Sequence, residues 1–245
     1  MTDENSSSET AQEELKSIAK RYCENDDELG MLDSFVDTWL FIDEFPQSFS
    51  WRGKQKPDIH TSNGKKTLAE RYFSSYRRSD FPAEPSTVAD EMVSVIMQNA
   101  YGYTSDECQR IKIEHQRSMC AENCVGNLLE RYLNSKIMRN GWSWCCGEYI
   151  RAIDFLRKNE DDSWTAIQIK NRNNSENSSS SAIREGTSIE KWFRSFSKDT
   201  IKGRSSLTNW SNLPPQMKGY GLSENEFKAF VTAYIRAEKL KTNHS

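Results

Sequence analysis

Three polar side chains stand where apolar neighbours set the pattern: Asp154 between Ile153 and Phe155, and Gln168 and Lys170 interleaved with Ile167 and Ile169. A carboxylate, an amide and an ammonium projecting from adjacent strand-like runs are costly to take out of water, so packing alone does not account for them. The carboxylate and the amide oxygen are hard ligands suited to a divalent cation. An ammonium beside them can face a phosphate. The trio reads as a metal-and-phosphate site.

The elements that must position it form a β-hairpin. Residues 148–157 make one strand-like run, 158–163 a polar turn and 164–170 the second run, in which Ile167 and Ile169 point one way and Gln168 and Lys170 the other. Upstream, residues 141–146 alternate aromatic and small residues and predict a short strand. Before that comes the clearest helix, over 117–139, with Ala121, Cys124, Val125, Leu128, Leu129, Tyr132 and Leu133 as its apolar stripe and Asn140-Gly141 as its stop. On that stripe Glu122 falls at the edge and Glu130 nearer the solvent side, making Glu122 a half-buried acid in need of a partner. That partner is either a base such as Arg117, a hydrogen bond or a metal.

The remaining elements read as scaffold. Residues 1–9 are Ser- and acid-rich and predict a disordered tail. Apolar spacing predicts helices around Leu15–Tyr22 and Leu29–Leu40, then a loop over 47–65, a third helix through Leu68 and Tyr76, and a fourth capped by Ser86. A helix carrying Ile189, Trp192, Phe193 and Phe196 is expected after the hairpin, and Ser223 with Glu226 forms a capping box for the last helix, whose Phe227, Phe230, Val231, Tyr234 and Ile235 pack inward.

A net charge of −3 conceals a division. Residues 1–48 hold thirteen acids against Lys16, Lys20 and Arg21, a net −10 that leaves the rest of the chain at +7. A polyanion is therefore expected to meet the later part of the chain, the acidic part being a solvated face. Residues 171–204 carry seven bases against four acids. The Asn- and Ser-rich tract that follows Lys170 is either a flexible linker or a nucleic-acid contact, and its position beside the polar trio favours contact. Asn amides and Arg guanidinium groups pair with adenine and guanine edges, which makes Arg172, Asn173, Asn174, Glu176, Asn177, Ser179, Arg184, Lys191 and Arg194 the candidate DNA-binding residues. Six cysteines lack the CxxC spacing of zinc and iron–sulfur sites and read as buried free thiols. No long apolar run predicts a membrane span, and a cytoplasmic, bacterial location is expected.

The order helix with an inward acid, strand, hairpin with Asp then Gln-x-Lys resembles the PD-(D/E)xK nuclease superfamily. More specifically, residues 119–123 (Met-Cys-Ala-Glu-Asn), 126–132 (Gly-Asn-Leu-Leu-Glu-Arg-Tyr), the tract from Lys170 through Ser179, and 191–194 (Lys-Trp-Phe-Arg) look like type II restriction endonucleases similar to SinI. The resemblance covers roughly residues 115–205. It implies an α/β fold with a restriction-endonuclease-like core, a central mixed β-sheet flanked by helices and a helical N-terminal region. It further implies one nuclease domain over 10–245, with 10–114 mainly helical, 115–205 the catalytic core and 206–245 a C-terminal loop and helix. The implied activity is Mg2+-dependent cleavage of double-stranded DNA at a short palindrome such as GGWCC. A homodimer is expected, along with a cognate methyltransferase that acts on the same site and need not bind the enzyme. The catalytic residues implied are Asp154, Gln168, Lys170 and Glu122. Asp154, Gln168, Glu122 and Glu176 are implied as metal donors, beside the Ile169 carbonyl. Gln168 departs from the usual second acid, which Glu122, Glu176 or Glu185 then has to supply. A charge-deficient site also suits a non-catalytic DNA-binding protein on the same fold, and the cysteines 120, 124, 145 and 146 suit a thiol-metal protein.

Overall fold

The computed structural model describes residues 2–173, 188–197 and 207–242, with side chains from residue 11 onward. By contact the chain forms two compact units, 1–78 with 130–227 and 79–129 with 228–245.

The first unit opens with three helices, α1 (Thr2–Lys20), α2 (Asp26–Leu29) and α3 (Leu32–Glu44). Helix α1 runs through residues 2–9, so the expected disordered tail is helical. Helix α4 (Ser62–Arg77) starts where Thr61 Oγ1 accepts the Gly64 N–H at 3.0 Å. Gly64 is required there, because a Cβ would lie 1.7 Å from the Asp58 carbonyl oxygen. Leu15, Phe35, Ile42, Leu68, Tyr72 and Phe73 interlock these helices as the buried core. A buried ion pair fastens α4 to the α2 turn: Glu28, 1% exposed, receives Arg77 Nη1 at 2.7 Å and the Glu24 N–H at 2.9 Å.

The sheet is mixed, in the order β1 (Ser143–Trp144), β2 (Phe155–Lys158), β3 (Trp164–Arg172), β4 (Ile189–Ser195). The first two pairings are antiparallel and β3–β4 is parallel. The expected hairpin is present, but its first strand is shorter than the run 148–157. Glu148 and Ala152 take left-handed φ values of 59° and 61°. These turn 148–151 away from β3 and dock it on 48–50, through Ser50 N–H to Tyr149 O and Arg151 N–H to Ser48 O, both 2.9 Å. Residues 189–195, expected as helix, are strand β4. Trp192 is buried and Phe193 half-buried on opposite faces, and a strand covered on both faces loses the alternation that would have identified it.

On one face of the sheet, α3 meets β1, β2 and the start of β3: Ser143 Oγ donates to Asp37 at 2.5 Å, and Trp164 stacks edge-on against Phe41. On the other, Trp192, Trp210, Tyr132 and Phe227 form an aromatic cluster with centroids 5.1–6.4 Å apart. Tyr132 comes from helix α6 (Ser105–Ile137), which ends, as expected, just before a left-handed Gly141, after one 3-10 turn over Met138–Asn140.

The second unit contains helix α5 (Glu91–Tyr101), the part of α6 up to Leu129, and helix α7 (Glu224–Thr242) from Lys228 onward. The cap of α5 is Asp90, whose carboxylate accepts the Met92 N–H at 2.9 Å, and not Ser86. Ser223 caps α7 as expected, accepting the Glu226 N–H at 3.2 Å. Only Phe227 of α7 is fully buried, and Phe230, Val231, Tyr234 and Ile235 are half-buried. Tyr234 Oη accepts the Asp80 N–H at 3.0 Å, and Asp80 in turn accepts Asn127 Nδ2 at 2.9 Å.

Candidate active site

The polar trio assembles where β2 and β3 part. Their pairing runs from Lys158↔Trp164 to Phe155↔Ile167 and stops. Beyond that point β3 continues beside β4 alone, so the Ile169 N–H has no β2 carbonyl to meet. The Asp154 side chain takes that place: its Oδ2 accepts the Ile169 N–H at 2.6 Å, while the Asp154 N–H donates to Ile167 O at 2.9 Å. The carboxylate is thereby fixed against the Gln168-Ile169-Lys170 backbone.

Strand alternation sends Gln168, Lys170 and Arg172 to one face of β3. One step beyond Phe155↔Ile167, Asp154 stands across from Gln168, and on the other side Lys191 of β4 pairs with Gln168 and Phe193 with Lys170. The face thus gathers one carboxylate, one buried amide and two lysines. Gln168 is 3% exposed, and Asp154 and Lys170 are half-buried. Burial lifts the Asp154 pKa from an ordinary 3.8 to about 6, opposed by the Ile169 amide and by the positive charge of Lys170. Above that pH the site offers an anion and an ammonium side by side.

The donors at this point are all oxygen: the second Asp154 oxygen, the Gln168 amide and the Ile169 carbonyl. That set fits Mg2+, which binds one or two carboxylates and completes its shell with water and phosphate oxygens. No group of three His, Cys, Asp or Glu side chains able to hold a metal exists among the described residues. The same finding speaks against a thiol-metal cluster there. Cys108, Cys124, Cys145 and Cys146 are buried free thiols, and desolvation raises the pKa of Cys145 and Cys146 well above the usual thiol range.

Glu122 is exposed, not half-buried. The buried row of α6 runs through Cys124, Leu128 and Tyr132, and Ala121, which drew the expected stripe toward Glu122, is itself exposed. Glu122 lies about 120° around the helix from Leu128, the middle of that row. The half-buried acid of α6 is Glu130, which accepts the Trp144 indole N–H at 3.0 Å. Its sequence signal was present in the heptad-like row but was assigned to the solvent side.

Of the expected DNA contacts, Arg172 and Asn173 are exposed at the end of β3. Asn173 Oδ1 accepts both the N–H (2.6 Å) and the hydroxyl (2.9 Å) of Ser197, tying the ends of β3 and β4. Lys191 is half-buried on the same face as Gln168. Arg194 is turned inward. Its Nη1 meets both Glu224 oxygens at 2.8 Å, its Nε donates to Asn171 at 3.0 Å, and its guanidinium lies 5.3 Å from the Phe227 ring centre. Those bonds make it a structural clamp between β4 and the start of α7. Asn174, Glu176, Asn177, Ser179, Arg184 and Glu185 lie outside the described residues.

Comparison with known proteins extends well beyond this site. The model of the SinI restriction endonuclease family matches residues 15–237. The type II restriction enzyme SinI of Salmonella infantis is 40% identical over 203 residues, covering 81% of this chain and 85% of that protein. The type II restriction enzyme Eco47I of Escherichia coli is 39% identical over 199 residues, covering 80% and 83%.

Proposed function

Since the chain belongs to the SinI restriction endonuclease family and is a type II restriction enzyme, we propose that Asp154, Gln168 and Lys170 form its catalytic centre for Mg2+-dependent hydrolysis of double-stranded DNA. The observation that carries this reading is the Asp154 carboxylate, held on the Ile169 amide and within reach of the Lys170 charge at the parting of two strands.

Asp154, the Gln168 amide and the Ile169 carbonyl would hold the cation. When bound, it lowers the pKa of the attacking water and neutralises charge gathering on the phosphate. Lys170 holds a phosphate oxygen or the incoming water by hydrogen bonds from its ammonium and stabilises the pentavalent state electrostatically. The Asp154 hydrogen bond to the Ile169 amide keeps the carboxylate from rotating, so both groups meet substrate already oriented. Lys191, across from Gln168, adds a second positive charge on the phosphate-facing side. A second acid would complete the charge balance, and Glu176 and Glu185 of the tract after Lys170 are the candidates. Arg172, Asn173, Asn174, Glu176, Asn177, Ser179 and Arg184 belong to the tract proposed to read the DNA.

The target proposed is a short palindrome such as GGWCC, the site a cognate methyltransferase would protect. A homodimer matches the two-fold symmetry of such a site, with each subunit cutting one strand. Digestion of a sequenced plasmid tests all of this. Discrete fragments with ends at GGWCC are expected in Mg2+ and none in EDTA. Asp154→Ala and Lys170→Ala should each abolish the fragments while leaving specific binding in Ca2+. Undiminished cleavage by purified Asp154→Ala protein overturns the assignment, and discrete ends at another sequence overturn the target alone. Glu176→Gln and Glu185→Gln, compared for the Mg2+ concentration they need, separate the two candidate acids.

A further inference from the structure

The acidic stretch of residues 1–48 ends abruptly. Residues 49–57 carry Arg52, Lys54 and Lys56 and no acid, and the fold ties this loop to the turn that delivers Asp154. Phe49 bridges antiparallel to Ile150, flanked by the Ser50–Tyr149 and Ser48–Arg151 hydrogen bonds. Arg71 of α4 staples the far end: its Nε donates to Gly147 O at 2.7 Å, its Nη1 to Arg52 O at 3.2 Å, and its guanidinium lies 4.5 Å from the Trp51 ring centre. Lys56 closes the loop on itself, donating to Phe49 O at 3.1 Å with its ammonium 4.3 Å from the Phe49 ring centre. Gly53 lets the chain fold over Trp51, since a Cβ there would stand 2.7 Å from the indole nitrogen. Arg71 and Lys56 are thereby structural, and the loop backbone is held in place.

Three cations remain outward: Arg52, Lys54 and Arg151 are exposed. Arg52 leans on Glu148 at 3.5 Å, an acid that Arg78 also approaches at 3.4 Å. Lys54 and Arg151 meet no carboxylate among the described residues. Exposed cations are commonplace, and what distinguishes these is their place. Strand β2 runs antiparallel to β3, so the residues before Phe155 and those after Lys170 leave the sheet at the same end, on either side of Asp154. Arg172 stands exposed on one flank. Arg151, with Arg52 and Lys54 behind it, stands on the other. Arg151 is three residues from Asp154, a span of at most about 11 Å. Phosphates of one DNA strand advance about 3.4 Å each along the duplex axis, so a phosphate at Asp154 has neighbours on its own strand, within about three steps, level with these cations. Guanidinium groups grip phosphate oxygens in pairs and an ammonium adds a point charge.

We propose that Arg52, Lys54 and Arg151 form a phosphate clamp that holds the DNA backbone beside the scissile phosphate, on the flank opposite the tract after Lys170. The assignment rests on the nuclease reading above and adds to it a contact surface that is indifferent to base sequence. Equilibrium binding of the full chain to a GGWCC duplex and to an unrelated duplex, in Ca2+ and over about 50–200 mM salt, tests it. Each lost phosphate contact lowers the slope of log K against log salt by about 0.9. Lys54→Gln combined with Arg151→Gln should lower it by about 1.8 on both duplexes, so that the affinity lost between the two salt limits is about 12-fold smaller than in the wild type. Because both side chains are exposed, the thermal melt of the double variant should match that of the wild type. Lys20→Gln, an exposed lysine at the end of α1, should leave the slope unchanged. Ethylation interference locates the contact: phosphates within about three nucleotides of the cut should obstruct binding of the wild type when ethylated and lose that effect in the double variant. An unchanged slope, an equal fall with Lys20→Gln, a loss confined to one of the two duplexes, or interference that does not change near the cut overturns the clamp. A wild type that binds and cuts while the double variant keeps its slope removes the clamp alone, and a wild type that shows the expected slopes but cuts nothing removes the catalytic reading alone.

Discussion

Asp154→Asn should make this protein more stable and catalytically dead, and the gain should depend on pH in one direction. Burial raises the Asp154 pKa from 3.8 to about 6. At about 1.4 kcal/mol per pH unit, that is a destabilisation of at most about 3 kcal/mol once the group is ionised. Asparagine keeps an oxygen for the Ile169 N–H but loses the charge assistance, worth about 1 kcal/mol. The net expectation at pH 8 in EDTA is a variant more stable by about 1–2 kcal/mol, a rise in Tm of about 2–8 °C for a chain of this size. The sign follows from proton binding. Between pH 3.8 and about 6 the folded state holds a proton that the unfolded state has released, so the wild type's stability is fully present below pH 3.8 and is lost as pH rises through about 6. The advantage of the variant should therefore be absent near pH 4, grow to about pH 6 and then level off. Thermal melts of both proteins at pH 4, 5, 6, 7 and 8 supply the curve. An Asn variant less stable than wild type at pH 8, or a difference flat across the series, refutes a desolvated carboxylate at this position. Mg2+ should then stabilise the wild type and not the variant.

Other perturbations separate the site from its supports. Lys170→Met removes the charge that holds the Asp154 pKa down, so the alkaline plateau of any pH-dependent Mg2+ stabilisation should begin above pH 6 in that variant, read by thermal shift across pH. Gln168→Glu supplies the charge the site is short of, and should lower the Mg2+ concentration needed for half-maximal cleavage by about tenfold, read from digestion at graded Mg2+. Arg77→Ala strands the Glu28 carboxylate, 1% exposed, and should destabilise by about 3–5 kcal/mol in urea, whereas Arg77→Ala with Glu28→Gln should recover part of that loss. Arg194→Ala should lower stability by about 2–4 kcal/mol in the same denaturation, through the lost Glu224 pair, without changing the salt dependence of DNA binding that a phosphate contact would carry.

Elements with a single dominant period were legible from residues alone. Ile167 and Ile169 alternate cleanly with Gln168 and Lys170 because α3 and the aromatic cluster cover different faces of β3, and Ser223 announces α7 because a capping hydroxyl is a local signal. Strand β4 was not legible: Ile189, Trp192, Phe193 and Phe196 keep helical spacing, yet both faces of the strand are covered and a parallel partner holds it. Glu122 was misplaced by one exposed alanine. Asp90 outcompeted Ser86 as a cap, although both have a short oxygen-bearing side chain, because the helix starts later than its apolar spacing suggests. The turn of 148–152 away from the sheet rests on left-handed Glu148 and Ala152, two residue types that do not advertise such a conformation.

That turn is nevertheless what makes the site. Had residues 148–154 continued the hairpin, as their composition invites, a β2 carbonyl would bond the Ile169 N–H, and the Asp154 side chain would have no fixed partner. Because the strand leaves at Phe155, one backbone donor is released at the point where Gln168 and Lys170 emerge, and a carboxylate is the group that satisfies it. The hydrogen bond thus serves the sheet and the proposed chemistry together: the same oxygen–amide contact that closes the ladder sets the orientation of the acid beside Lys170. It follows that the geometry of Asp154 depends on left-handed Ala152, two residues away. Ala152→Gly should preserve it, whereas Ala152→Val, whose branched side chain strongly disfavours positive φ, should loosen the carboxylate and lower cleavage while leaving the helical units folded.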